Sequence, residues 1–172
     1  YVETVRQMCW EKPSDCAVVH LTLVPYLAAA GELKTKPTQH SVKRLQESGV
    51  FPDVLVCRTE HHINKEMRRK LALFCNVQPD AVIQSIDAAT IYNVPRLMKE
   101  EQLDKVVLKK LGLDNSGESD VAHWDEFVHN LNNPTDTVEI ALVGKYVELK
   151  DSYKSISEAF IHASSNTRCK VN

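Results

Sequence analysis

At 172 residues the chain is long enough for one ordinary domain or for pieces of two. Its 43% hydrophobic and 26% charged residues suit a globular protein with a real core, which excludes a disordered or fibrous chain. A formal net charge of −2 gives no electrostatic reason to expect nucleic acid or an anionic membrane as a partner. The five cysteines, at 9, 16, 57, 75 and 169, form no C-x-x-C pair and no metal-ligand spacing. Three lie inside apolar runs and are expected to pack as small hydrophobes; the odd, scattered set points to a reducing compartment. No apolar run reaches the ~20 residues of a membrane span and no signal peptide opens the chain, so the default localisation is cytoplasmic.

Residues 1–12 read as a helix with Val2, Val5 and Met8 or Cys9 on one side. No start signal precedes it: Tyr1 falls inside an element, as in a sequence cut from a longer one. After the turn Lys12-Pro13-Ser14-Asp15 comes the apolar run Cys16–Leu27, whose Val18–Leu21 portion is expected to be a buried strand of a parallel sheet. His20 within it is more often a satisfied core histidine than a ligand.

Next comes Gly31-Glu32-Leu33-Lys34-Thr35-Lys36-Pro37-Thr38-Gln39-His40-Ser41-Val42. Pro37 suits the first turn of a helix, where its missing N–H costs no hydrogen bond. Lys36, before a proline, is biased towards extended backbone. Val42 and Leu45 give that helix a buried side, and Gly49 is placed to end it in the left-handed conformation. The free N–H groups of the helix start, with Lys34 and Lys36 beside them, make a phosphate-binding corner. The alternative is two solvated lysines in a surface loop.

Pro52–Cys57 is a second buried strand, opening into a loop at Arg58-Thr59-Glu60. A helix capped by Asn64 runs to Cys75, with Met67, Leu71 and Phe74 expected in the core. A turn at Pro79-Asp80 leads to a third strand, Ala81–Ile83. Strand–helix–strand–helix–strand at this spacing predicts an α/β fold, a mostly parallel sheet with flanking helices, with ligands beyond the carboxyl ends of its strands. Residues 87–111 look helical and broken by Pro95, with an apolar stripe at Leu103, Val106, Val107 and Leu111 and a stop at Gly112. The polar stretch Asp114–Asp120 is the best linker candidate. A short helix follows with Trp124, Phe127, Val128 and Leu131 on one face. Val138–Val147 reads as a strong buried strand. The next helix has Ile156, Ala159, Phe160 and Ala163 facing inward, and residues 170–172 begin another strand.

The segment Gly31–Val42 resembles the UTP-contacting segment of the CTP synthase family. His20-Leu21-Thr22-Leu23-Val24-Pro25-Tyr26, Leu71-Ala72-Leu73-Phe74-Cys75-Asn76-Val77 and Ile140-Ala141-Leu142-Val143-Gly144-Lys145-Tyr146-Val147-Glu148-Leu149 fit the same family, in its order. The resemblance implies a P-loop, dethiobiotin-synthetase-like amidoligase domain, its C-terminal part over residues 1–113. An interdomain linker with a short helix over 114–136 and the start of a class I glutamine amidotransferase domain over 137–172 complete the expected organisation.

By that resemblance Lys34, Thr35, Lys36, Pro37, Thr38 and Gln39 contact UTP, or CTP at an overlapping site. Lysines would neutralise phosphate and the hydroxyl and amide groups would hydrogen-bond oxygens. Lys70 corresponds to a nucleotide-contacting lysine, although spacing alone makes it one of four basic residues on its helix. Ile86, Asp87 and Ala88 align with a segment touching the ATP base. The implied partners are UTP, CTP, ATP and glutamine-derived ammonia, with Mg²⁺ and a homotetramer.

Gly144-Lys145-Tyr146 lacks the spacing of a phosphate loop, and His61-His62 reads as a polar loop rather than a metal pair. No catalytic or metal residue is assigned to the chain. The family's phosphate loop, magnesium ligands and glutaminase triad are expected outside it, so the chain alone is expected to be inactive. The competing readings are another P-loop ATP-dependent amide-forming ligase and a non-catalytic nucleotide-sensing or assembly module.

Overall fold

Val54, Leu55, Val56 and Cys57 are apolar at four successive positions, and such a strand needs cover on both faces. In the computed structural model, which describes residues 1–113 and 117–172, all four are buried at the centre of a sheet. The chain divides into two compact units, Tyr1–Gly117 and Glu118–Asn172.

The first unit runs α1 (Val2–Glu11), β1 (Val19–Leu23), a small hairpin of β2 (Tyr26–Leu27) and β3 (Glu32–Leu33), α2 (Lys36–Glu47), β4 (Val54–Thr59), α3 (Lys65–Cys75) and β5 (Val82–Ile86). Two short helices, α4 (Val94–Glu100) and α5 (Leu103–Lys110), follow. Strands β1, β4 and β5 form a three-stranded, wholly parallel sheet in that order, with Leu21 opposite Val56 and Val56 opposite Ile83. Helices α2 and α3 are the crossovers. Val42 of α2 and Leu71, Ala72 and Cys75 of α3 pack on Val24, Leu55, Cys57 and Val82. On the other face Val54, Val56, Ala81 and Ile83 meet Met98 of α4 and Leu103, Val106 and Val107 of α5. Each fully buried aliphatic side chain contributes roughly 1.5–3 kcal/mol, so these layers hold the sheet together.

The second unit has α6 (Ala122–Asn132), β6 (Asp136–Val138), α7 (Lys154–Thr167) and β7 (Cys169–Val171). Its two strands pair in parallel, and Ser165 Oγ of α7 donates to the Phe127 carbonyl of α6 at 2.9 Å. Among the described residues no helix is long and apolar enough to cross a membrane.

Several expectations hold in detail. Gly49 follows the end of α2 at φ +75°, and Asn64 caps α3 by accepting from the Met67 N–H at 2.8 Å. His20 shares a 2.9 Å hydrogen bond with Ser41. Burial lowers its pKa, which favours the neutral ring.

Others need correction. Strand β1 is an edge strand with one open face: Val19, Leu21 and Leu23 are exposed because the second core draws no residue from β1. Phe74 is exposed, since α3 turns Leu71, Ala72 and Cys75 inward. The third strand begins at Val82, one residue later than expected, because Pro79–Ala81 forms a single 3₁₀ turn. Pro95 does not break a helix; it sits in the first turn of α4, and the break falls at Gln102 with φ +61°. Lys36 is the first residue of α2 rather than extended.

The expected strand 138–147 is regular strand only as far as Val138, with one further backbone bond from the Ile140 N–H to the Asn172 carbonyl at 3.1 Å, and Val143 and Val147 are exposed. A doubly covered strand needs neighbours and helices on both faces; in the second unit β6 pairs with a strand of three residues. The face of α7 is rotated as well. Ile156, Ala159 and Ala163 are exposed while Ser164 and Ser165 are buried, so small hydroxyl residues carry the close approach to α6. The predicted linker 114–120 lies partly outside the described residues, at 114–116.

Candidate nucleotide-binding site

The carboxyl end of β1 delivers the chain to the lysine-rich segment through the β2–β3 hairpin. Gly31, at φ +64°, turns the hairpin, and the Lys34 N–H donates to the Pro25 carbonyl at 2.9 Å to close its base. Helix α2 then begins with Pro37 in its first turn and no side-chain cap on its free N–H groups.

Thr38 fixes this helix start to the sheet. Its side chain is fully buried, its hydroxyl donates to the Leu23 carbonyl at 2.9 Å, and the Thr22 hydroxyl donates to it at 3.3 Å. Thr35 is buried and accepts from the Gln39 amide at 3.1 Å. Thr35, Thr38 and Gln39 thus spend polar atoms on organising the corner. Thr38→Val is expected to cost about 1–2 kcal/mol, because the Leu23 carbonyl and the Thr22 hydroxyl each lose a buried partner; thermal unfolding compared with wild type checks this.

The cations stand outside this frame. Lys34 is paired with Glu32, and the hydrogen bond and charge of Lys34, with a smaller contribution from Lys70, hold the Glu32 carboxyl below the usual carboxylate range. Lys34 is thus the residue that pairs with Glu32, while Lys70 of α3 acts on that carboxylate only through its charge. Lys36 is exposed and makes no ion pair among the described residues. The corner combines free helix N–H groups, the unpaired Lys36, Lys34 on Glu32 and the nearby charge of Lys70, an arrangement able to receive a polyanion.

Ile86, Asp87 and Ala88 lie at the carboxyl end of β5. The Asp87 N–H donates to the Thr59 carbonyl at 3.0 Å, and Arg58 Nε donates to Asp87 Oδ1 at 3.2 Å. These three residues line a groove of about 500 Å³ with Leu21, Arg58 and Thr90. A second depression, bordered by Pro37, Ser41 and Thr22, shares Leu21 and Arg58 with it. The structure thus brings the two predicted segments to one end of the sheet, with Arg58 between them.

Along the free edge of β5 a polar network ties the elements together. The Arg68 guanidinium grips Glu101 through two contacts, at 2.9 and 2.8 Å, and also donates to the Val82 carbonyl. Glu101 accepts the Gln84 N–H at 3.0 Å, and the Gln84 side chain accepts the Ile63 N–H and meets His62. Burial alone would raise the Glu101 pKa, but the Arg68 hydrogen bond, the Gln84 N–H and the Arg68 charge outweigh it and hold the carboxyl low.

Sequence reasoning missed Glu32, Arg58, Arg68 and Glu101. Glu32 stands two residues from Lys34 in extended chain, where alternate side chains share a side, and that spacing was a usable signal. Arg58 directly follows an apolar strand, but its partner Asp87 is 29 residues away and nothing local announces it. His61 lies against the Tyr26 ring, with centroids 4.0 Å apart, so the loop carrying it is anchored to the hairpin.

A sequence model described as the CTP synthase N-terminus matches residues 1–113. The chain belongs to the CTP synthase family. The CTP synthases of Flavobacterium johnsoniae and Flavobacterium psychrophilum are each 62% identical to it over 173 residues, covering 100% of this chain and 32% of theirs. That of Bacteroides fragilis is 54% identical over 171 residues, 99% of this chain and again 32% of the relative. The chain therefore spans about a third of the length of the curated CTP synthases it matches. The matched model places residues 1–113 within the family's N-terminal region.

Proposed function

We propose that the chain is a portion of a CTP synthase that carries part of its UTP/CTP site and touches its ATP site. In this reading residues 1–113 are the C-terminal part of the synthase (amidoligase) domain, 114–136 the interdomain segment and 137–172 the start of the glutaminase domain. The parent enzyme aminates UTP to CTP: ATP phosphorylates the uracil O4, and ammonia from glutamine displaces phosphate at C4. A cytosolic homotetramer is part of the same proposal.

The observation that supports this reading best is the placement of Lys34 and Lys36 at the uncapped start of α2, with the charge of Lys70 reaching Glu32 beside them, at the end of the sheet that also holds Ile86–Ala88. Lys36 and Lys70 offer charge to nucleotide phosphates, and Lys34 joins them when Glu32 yields it. Arg58, with its planar guanidinium at the border of both depressions, suits a base or ribose on the 86–88 side. Positioning and charge neutralisation supply most of the catalysis of phosphoryl transfer, so lysines without a covalent nucleophile are consistent with the chemistry.

The described residues do not fit a magnesium site. No three His, Cys, Asp or Glu side chains among them gather to hold a metal, and Asp87 and Glu32 are each committed to a cation. No step is assigned to the metal through this chain.

The test is CTP formation from UTP, ATP and Mg²⁺ by the parent protein, with ammonia and then glutamine as nitrogen source. Turnover with both sources is the expected result. A folded parent that binds UTP but makes no CTP from ammonia would favour a nucleotide-sensing module instead.

A further inference from the structure

The nucleotide segments occupy the carboxyl ends of the strands; a different chemistry gathers at the amino ends of β1 and β4. The Lys12 N–H donates to the Met8 carbonyl at 2.9 Å to finish α1, and the Asp15 N–H donates to the Lys12 carbonyl at 3.1 Å to reverse the chain. This reversal carries Cys16 back beside Cys9. Both line one hollow of about 330 Å³, with Trp10, Phe51 and Asp53. Both are free and partly exposed, whereas Cys57 and Cys75 are buried.

The flanking backbone is held firmly. The Val18 N–H donates to the Asp53 carboxylate at 2.9 Å, the Asp53 N–H returns to the Val18 carbonyl at 2.9 Å, and Lys110 pairs with the same carboxylate at 2.9 Å. Cys16 lies two residues before Val18 on this fixed lead-in. Cys9 stands on a helix whose Arg6 lies against Gly49. Two thiols held at one hollow by separate anchored segments are placed to react with each other, which a lone surface cysteine is not.

We propose that Cys9 and Cys16 are an oxidation-sensitive dithiol that closes to a disulfide, with a hydroperoxide as the two-electron oxidant. The Cys16 thiolate attacks a peroxide oxygen, the O–O bond breaks, and the departing hydroxide takes a proton to leave as water. The Cys9 sulfur then attacks the resulting sulfenic acid, the S–O bond breaks, and the second hydroxide leaves as water with the Cys9 proton. Two thiols and one hydrogen peroxide give one disulfide and two waters. Burial, and then the neighbouring Cys16, raise the Cys9 thiol pKa, which favours its protonated form. The bond ties α1 to the start of β1 around a short loop.

Trypsin spares the Lys12–Pro13 bond, so residues 7–34 leave the protein as one peptide holding both cysteines, while Cys57, Cys75 and Cys169 fall in other peptides. The intact native protein is treated briefly with hydrogen peroxide, unfolded in iodoacetamide, digested and weighed. The expected result is a 7–34 peptide lighter by two hydrogens and unalkylated, restored to double alkylation by dithiothreitol, with Cys57 and Cys75 alkylated as in untreated protein. Cys16→Ser and, separately, Cys9→Ser abolish the loss of two hydrogens. Double alkylation of this peptide after peroxide, or separate over-oxidation of its two sulfurs, would overturn the proposal. The readout is a mass, so its failure is distinct from any failure of the CTP synthase reading.

Discussion

Lys36→Ala is expected to weaken UTP binding about 10- to 150-fold, the loss of one charge-assisted contact of roughly 1.5–3 kcal/mol. In the absence of nucleotide Lys36 does very little. It is exposed on the first turn of α2 and makes no ion pair among the described residues, so its removal leaves no buried partner stranded. Lys34 differs, since it neutralises Glu32, and Lys34→Ala mixes a loss of anion affinity with a freed carboxylate. Titration calorimetry with UTP reads the effect directly, and unfolding should be unchanged. The loss should also shrink at high salt, as screening weakens an exposed charge. Unaltered UTP affinity in a folded Lys36→Ala protein would remove the segment from the site.

Glu101→Gln is expected to loosen the joint between β5, α3 and α4 by about 2–3 kcal/mol at neutral pH. The Arg68–Glu101 pair is a half-buried bidentate contact, and removing one partner leaves a cation and the Gln84 N–H poorly satisfied. Hydrogen exchange of the Gln84 amide should accelerate about 30- to 150-fold, the same free energy read as a population of open states. The pH dependence follows from the sign of the shift. The folded Glu101 pKa lies below its ordinary 4.5, so the unfolded state binds the proton more readily. The stabilisation is fully present above that ordinary value and is lost as pH falls through the folded pKa. Wild type and Glu101→Gln should therefore converge at strongly acidic pH, and a gap that persists there would mean the carboxylate charge is not what holds the joint.

Local pattern was sufficient where one rule dominates. Pro37 and Gly49 mark the two ends of α2, Asn64 marks the start of α3, and the unbroken apolar run at 54–57 marks the central strand, because each is decided by backbone chemistry within a few residues. The family was also legible, since the lysine-rich segment and its flanking blocks form a long ordered match. The reading failed where burial depends on what lies alongside. Leu21 and Leu23 look like core residues but are exposed, because α4 and α5 lie over β4 and β5 and leave β1 open. Phe74 and the apolar residues after Val138 were expected inside for the same reason and are not.

By itself the sequence determined the order of elements and the parallel α/β class, which follow from turn chemistry and hydrophobic period. Tertiary structure alone decided that the charge of Lys70 reaches Glu32, that Arg58 stands between the two predicted segments, and that Arg68 reaches Glu101 across 33 residues. Those pairings exist because parallel crossovers bring the ends of distant strands together, and no local rule encodes which distant residues will meet.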